Sequence, residues 1–273
     1  MKSRFPATIV IPLLDQVDEW LEQCVRSALG QTVESEVVVV LSPRTRHSNL
    51  DLLAKLKSEF DNLRLLPREI LGFPGAINAG FEAASASRVG LLLSDDWLDP
   101  RAVELCFPHD ADIVSSGNRV WDGAGRTVFE DVSRMPRVHE FLQCETLEHK
   151  ARYLQHFFLF RKSKLQQIGG ADESLGDFPG IDDFDMIWVL LEHGATVAIV
   201  ERQLYNYRDH HGDRLSLRHV EEAAAVLERI LEKHAVADPE RAEILREHSK
   251  WYGRQLHVAF DEMRRRKLPP GRS

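Results

Sequence analysis

A chain of 273 residues, 43 % of them hydrophobic, is long enough to bury a substantial core, either as one large α/β domain or as a domain with an appendage. Its formal net charge of −8 speaks against a general nucleic-acid binder, which needs a basic face dense enough to outlast salt screening. No apolar run approaches the roughly 18 residues of a membrane span, and the N-terminus lacks the basic-then-apolar pattern of a secretory signal. Cys24, Cys106 and Cys144 show no paired spacing, so the expectation is a cytoplasmic protein with buried, reduced thiols.

In chain order, Ala7 to Leu13 (ATIVIPL) is a β-branched apolar run that predicts a first buried strand with its exit near Pro12. Asp15 is expected to open a helix with Val17, Trp20, Leu21, Cys24, Val25, Ala28 and Leu29 on one face, Asp18 and Glu19 in its positive first turn and Gly30 at its end. Glu36 to Leu41 reads as a second strand, completing a βαβ unit. The polar loop Ser42 to Ser48 brings Arg44, Arg46 and His47 past that strand, where they suit either solvent or an anion. Ser48 is expected to cap a helix over Leu52, Leu53, Leu56 and Phe60, followed by a short strand at Leu63 to Leu66. Gly72 to Gly80 (GFPGAINAG) reads as a loop running past a ligand before a helix start, whose amides can meet a phosphate.

Val89 to Leu93 lacks polar alternation and predicts a central strand covered on both faces, with Asp95 and Asp96 at its carboxyl end. That edge is where open α/β sheets bind ligands, and two adjacent carboxylates there call for a cation such as Mg²⁺ or Mn²⁺ carried in with a phosphate. Asp99 and Pro100 supply the cap of the next helix, leaving the pair for chemistry. Asp112 to Ser116 predicts a strand, Gly117 to Arg126 a hairpin or turn, and Met135 to Ala151 an irregular or partly helical stretch. His156 to Arg161 reads as a strand and Ser163 to Gly170 as a short helix. A second acidic focus, Asp172 to Asp185, leads into a helix through Met186, Ile187, Leu190 and Leu191. Asp182, Asp183 and Asp185 exceed what one helix end needs, so one of them suits a general base. Thr196 to Val200 and Gln203 to Tyr207 predict two strands and Arg208 to Arg214 a polar loop with His210 and His211. The remainder predicts amphipathic helices starting at Ser216 and Asp238, the second carrying Trp251, Leu256 and Phe260, with a basic end at Arg264 to Lys267.

Taken together, IPLLDQ, LEQCVRSALGQT, NAGFEAA, LLLSDDWLDP, GGADESLG, IDDFDMIWVLLEHG and LYNYRDHHGDRLS resemble, in this order, the pattern of family 2 glycosyltransferases of the GT-A fold, from about Ala7 to Ser216. The resemblance implies an α/β fold of GT-A type with a mostly parallel, Rossmann-like central sheet flanked by helices, and the C-terminal helical extension lies outside it. It implies a nucleotide-sugar-binding half over 1–118 and an acceptor-side half of the same domain over 119–215, with the helical extension following over 216–273. The implied reaction is metal-dependent transfer of a sugar from a nucleotide diphosphate to an acceptor hydroxyl or other nucleophile, with inversion. Asp96 would bind Mn²⁺ or Mg²⁺ and Asp95 the donor ribose or the metal shell, with His211 (or His210) as a further contact. Asp183 would be the catalytic base. Pro12, Leu13, Leu14, Ser42, Asn78 and Arg208 would line the donor.

Two departures bear on the donor. Leu41 and Ser42 stand where relatives carry acidic residues that read a uracil, and Ile77 stands where an arginine often precedes the helix-entry asparagine, here Asn78. UDP-sugars lead the expectation, with the base read by backbone near Pro12 to Leu14 and by stacking. The rival readings are a donor-binding but inactive module and a nucleotidyltransferase, although IPLLDQVDEW is not the glycine-rich basic loop the latter would carry. The C-terminal helices are expected to cover the catalytic domain or a second subunit, so a homodimer through them is one expectation.

Overall fold

The computed structural model describes residues 4–69, 72–175, 182–209, 220–237, 240–241 and 243–244. The chain opens with the expected strand–helix alternation: β1 (Ala7–Leu13), α1 (Asp18–Leu29), β2 (Glu36–Leu41), α2 (His47–Glu59), β3 (Leu63–Pro67), α3 (Phe73–Ala83) and β4 (Arg88–Leu91). These four strands pair in parallel in the order β3-β2-β1-β4. Successive residues of β1 point to opposite faces, and both faces are covered: Val10 joins one apolar cluster, Ile9 and Ile11 the other. The uninterrupted apolar run is thus the signature of two-sided burial.

Beyond β4 the sheet changes character. β5 (Trp97–Leu98), α4 (Ala102–Cys106), β6 (Ile113–Asp122), α5 (Val138–Leu142), α6 (Leu147–Tyr153), β7 (Gln155–Arg161), α7 (Lys162–Ile168), α8 (Asp182–Glu192), β8 (Val197–Asp209) and α9 (Val220–Lys233) follow. The full order is β3-β2-β1-β4-β7-β6-β8-β5, with β7 antiparallel to both β4 and β6, and β5 antiparallel to β8. With β6 and β8 parallel, four of the seven pairings are parallel and three antiparallel, so the sheet is mixed. Residue 118, the expected border between halves, lies inside β6, so both parts belong to one sheet.

Several local expectations are corrected. Asp15 does not open α1: it pairs with Arg46 in the loop, and the helix starts at Asp18 behind Val17. Ser48 lies inside α2 and donates to Asp18 (3.0 Å) instead of capping. The glycine-rich stretch after Gly72 is α3 itself. Its small residues let the helix lie against the sheet, since a Cβ on Gly80 would sit 2.2 Å from Val10 Cγ1. α4 begins two residues after Pro100, with Asp99 Oδ1 accepting from the Arg101 amide (3.0 Å). Residues 117–122 continue β6, and the two strands expected within 196–207 are one, β8.

α9 lays Val226, Leu227, Ile230 and Leu231 into the same core cluster as Met186, Ile187 and Leu190 of α8. Cys24, Cys106 and Cys144 are buried free thiols. Among the described residues no helix is long and apolar enough to cross a membrane. The helix expected from Asp238 lies outside the described residues apart from a few positions.

Candidate active site

The carboxyl end of β4 is extended by Leu92, whose amide donates to Val10 O (3.0 Å), before a turn closed by Asp96 N to Leu93 O (3.2 Å). The turn separates the two aspartates. Asp96 is 1 % exposed, accepting from the Tyr205 hydroxyl (2.6 Å) at Oδ2 and from the Arg208 amide (2.7 Å) at Oδ1. Burial, reinforced by the neighbouring Asp95, pushes its carboxyl well above the usual range despite those two donors. Asp95 is only half-buried. Asp96 therefore fastens the turn to β8, and of the two it is Asp95 whose carboxylate lies nearer solvent.

Arg208 completes that fastening. Its guanidinium donates to Asp95 O (2.9 Å), Gly123 O (3.1 Å) and Gln23 Oε1, and it packs on the indoles of Trp20 (4.9 Å) and Trp97 (4.8 Å). It is 2 % exposed, and these three acceptors and two indoles make it a brace of the turn.

The carboxylate expected on the acceptor side stands at the first turn of α8. Asp183 Oδ1 accepts from the Phe184 amide (2.9 Å), and Oδ2 meets His156 Nε2 of β7 at 2.8 Å. Burial would raise the Asp183 carboxyl, but the hydrogen bond and charge of His156 outweigh it and hold the group below its ordinary value. The His156 ring packs on Phe158 (4.6 Å between centroids) and Tyr205 (5.0 Å). Tyr205 thus touches both sides of the site, bonding Asp96 and packing on the partner of Asp183. Asp185 turns away from this site to Lys233 (2.8 Å) and His234 (3.0 Å) of α9. Sequence reasoning singled out Asp183 and missed His156 and Tyr205. His156 heads an apolar strand with no local motif and Tyr205 sits within LYNYRDHHGDRLS; the signal that could have found them is a polar group at an inward position beside apolar neighbours.

The remaining expected donor residues are placed as follows. Pro12 and Leu13 are buried in β1, and Leu13 O already accepts from Ser42 N (2.9 Å) and Thr45 Oγ1 (3.4 Å), so Leu14, 39 % exposed, is the first residue to emerge. Ser42 Oγ accepts from the Arg44 amide (3.1 Å) and so shapes its own loop. Asn78 donates to Ala171 O (2.9 Å) and Glu173 Oε1 (3.0 Å) and accepts from the Ala171 amide (2.8 Å). It ties α3 to the 171–173 segment, and Gly170, at φ +80, leaves it room: a Cβ there would lie 2.2 Å from Asn78 Oδ1. Asn78 is accordingly a brace between elements. His210 and His211 lie outside the described residues.

Among the described residues no group of three or more His, Cys, Asp or Glu side chains is placed to hold a metal ion. With Asp96 engaged twice and Asp95 beside it, this donor set suits an ion that brings most of its ligands as diphosphate oxygens and water, the usual habit of Mg²⁺.

A model of the family described as Glycosyl transferase family 2 matches residues 8–169. The chain is 28 % identical over 207 residues to chondroitin synthase of Pasteurella multocida (strain Pm70), covering 74 % of this chain and 20 % of that protein. It is 28 % identical over 222 residues to hyaluronan synthase of Pasteurella multocida, covering 79 % and 22 %. The chain thus spans about a fifth of the length of these curated relatives. Among solved structures, S. aureus TarS 1-349 in complex with UDP-GlcNAc superposes with a TM-score of 0.63 at 17 % identity, covering 98 % of this chain and 76 % of that one. Mannosyltransferase PcManGT from Pyrobaculum calidifontis in complex with GDP-Man and Mn²⁺ gives a TM-score of 0.61 at 15 % identity, covering 99 % and 77 %. These likenesses establish a GT-A glycosyltransferase fold.

Proposed function

The chain belongs to glycosyl transferase family 2, and from that premise we propose that it transfers a sugar from a nucleotide diphosphate donor to an acceptor hydroxyl with inversion, Asp183 acting as the base. The observation that carries the reading is the pair of carboxylate centres, Asp95 and Asp96 after β4 and Asp183 at the start of α8, bridged by Tyr205 and His156 at one edge of the sheet. In the step, Asp183 takes the proton of the attacking hydroxyl as the new C–O bond forms on the face opposite the breaking bond to phosphate. The electron pair of that bond leaves with the diphosphate. His156 and the Phe184 amide hold the Asp183 carboxylate ionised below neutral pH, so the base is ready at working pH.

A divalent ion, when bound, neutralises charge on the leaving diphosphate. Asp95 would hold it, and Asp96 would keep the turn that presents Asp95 in place. This reassigns the ligand role within the pair, because Asp96 is 1 % exposed and spends one lone pair of each oxygen on a protein donor, whereas Asp95 is half-buried.

The solved relatives bind UDP-GlcNAc and GDP-Man, which supports a nucleotide-sugar donor without choosing the base. Leu41 and Ser42 offer no carboxylate to accept an imide N–H, Ser42 Oγ already accepts from the Arg44 amide, and Leu13 O is occupied. The base is then read by stacking and by groups from Leu14 onward, with mild discrimination. The test is to incubate the protein with Mn²⁺ and UDP-GlcNAc or GDP-Man and follow release of nucleoside diphosphate. Release that Asp183→Asn suppresses supports the reading, and undiminished release in that variant refutes the base assignment.

A further inference from the structure

We propose that His156 is a positioning residue for Asp183: its Nε2–H holds the carboxylate in the rotamer that receives the acceptor proton, reversing the division of labour familiar from hydrolytic His–Asp pairs. The inference rests on the reading of Asp183 as the base.

Three observations carry it. His156 Nε2 lies 2.8 Å from Asp183 Oδ2. His156 Nδ1 is buried with no hydrogen-bond partner among the described residues. The ring packs against both Phe158 and Tyr205, with centroids at 4.6 and 5.0 Å.

An imidazole in this setting has one favourable neutral form. A proton on Nδ1 would leave a buried N–H unpaired and would turn the Nε2 lone pair on a carboxylate. A proton on Nε2 makes a charge-assisted bond and leaves only a weakly solvated lone pair in the apolar wall. The neutral tautomer that fits this geometry is therefore the Nε2–H form. Packing against two rings then fixes the direction of the N–H, and with the Phe184 amide on Oδ1 the Asp183 carboxylate is held at both oxygens. Each oxygen keeps a lone pair for the incoming hydroxyl.

Among the described residues, two titratable neighbours of this pair are committed elsewhere. Tyr205 of β8 presents its ring, its hydroxyl being committed to Asp96. Asp185, one half-turn along α8, is committed to Lys233 and His234 of α9. The same ring contact makes His156 the physical link between the donor-side turn and the acceptor-side base.

The experiment uses His156→Phe, which keeps the ring packing and removes the donor, and His156→Gln, whose side-chain amide restores an N–H near the Nε2 position. Two-bond ¹H–¹⁵N correlation of ¹⁵N-histidine-labelled protein reads the tautomer directly, with His156→Gln assigning the resonance. The expected spectrum shows a proton on Nε2, with the signal shifted by Asp183→Asn. An Nδ1–H pattern, or a His156 signal that Asp183→Asn leaves unmoved, overturns the proposal whatever the turnover. In nucleoside diphosphate release, His156→Phe should lower kcat roughly tenfold or more with donor KM nearly unchanged. It should also move the acidic limb of the pH profile upward, because Asp183 loses the donor that keeps it ionised. His156→Gln should recover most of both. Parental kcat and acidic limb in His156→Phe, alongside an inactive Asp183→Asn, would sink this inference while leaving the base assignment standing. Parental release in Asp183→Asn would remove both.

Discussion

At the scale of single residues, Asp96 and Asp95 should respond differently to truncation. Asp96→Ala strands the buried Tyr205 hydroxyl and the Arg208 amide, at a cost of about 1–3 kcal/mol for the unmet donors and a drop of several degrees in Tm. Asp95→Ala leaves those bonds intact and should change Tm little while abolishing metal-dependent binding of UDP or GDP. Thermal unfolding with and without Mn²⁺ and nucleotide separates the two, and a large Tm loss confined to Asp95→Ala would reverse the assignment. Asp183→Asn keeps the size of the side chain but cannot accept a proton, so turnover should fall by roughly 10²- to 10⁴-fold with donor affinity preserved.

How much of these residues' roles could be read beforehand depends on where their partners lie. The adjacency of Asp95 and Asp96 and the acidic start of α8 are local patterns, and both reached the site. What distinguishes Asp96 from Asp95 comes from Tyr205 and Arg208, more than a hundred residues away. A linear reading has no access to that. Arg208 looked like an anion contact because arginines in loops often are. Only the fold shows two indoles and three acceptors closing around it.

At the scale of elements, α3 shows how packing overrides propensity. Glycines at 72, 75 and 80 read as a loop, yet the segment from Phe73 is helical because only a side chain as small as glycine lets it approach β1. Gly80→Ala should therefore destabilise by about 1–3 kcal/mol, as overpacking does, despite improving helix propensity. A denaturant midpoint equal to or above the parent's would contradict this.

The α8–α9 contact carries a pH dependence of known sign. Burial alone would lower His234, but bonds to Asp185 (3.0 Å) and Glu192 (2.7 Å) outweigh it and raise its pKa above the ordinary value. Its ring also stacks on Trp188 at 3.9 Å. The folded state then holds the proton more tightly than the unfolded one. This contribution is complete below the ordinary histidine value of about 6.5 and is lost as pH rises through the elevated folded value. His234→Phe preserves the stacking, so the Tm gap between parent and variant should be widest at about pH 6 and narrow toward about pH 9. A gap that widens with pH would contradict the assignment.

At the scale of the whole molecule, the parallel half was legible because apolar runs and amphipathic helices alternate without interruption from Ala7 to Leu91. The second half was less so. β7 carries the apolar content of a parallel strand but enters between β4 and β6 in the opposite direction, and no periodicity encodes direction. That insertion places His156 beside the end of β4, since Phe158 is the register partner of Leu91. The antiparallel insertion is thus what joins the two carboxylate centres into one site.

The central claim is that Asp183 directs inverting transfer at that joined site. Its most direct measurement is ¹H NMR of the sugar first released when the protein, with Mn²⁺, hydrolyses UDP-GlcNAc or transfers from it. The β-anomer should appear before mutarotation, and Asp183→Asn should suppress it. An α-anomer, or a β-anomer formed by Asp183→Asn at the parental rate, would contradict the account.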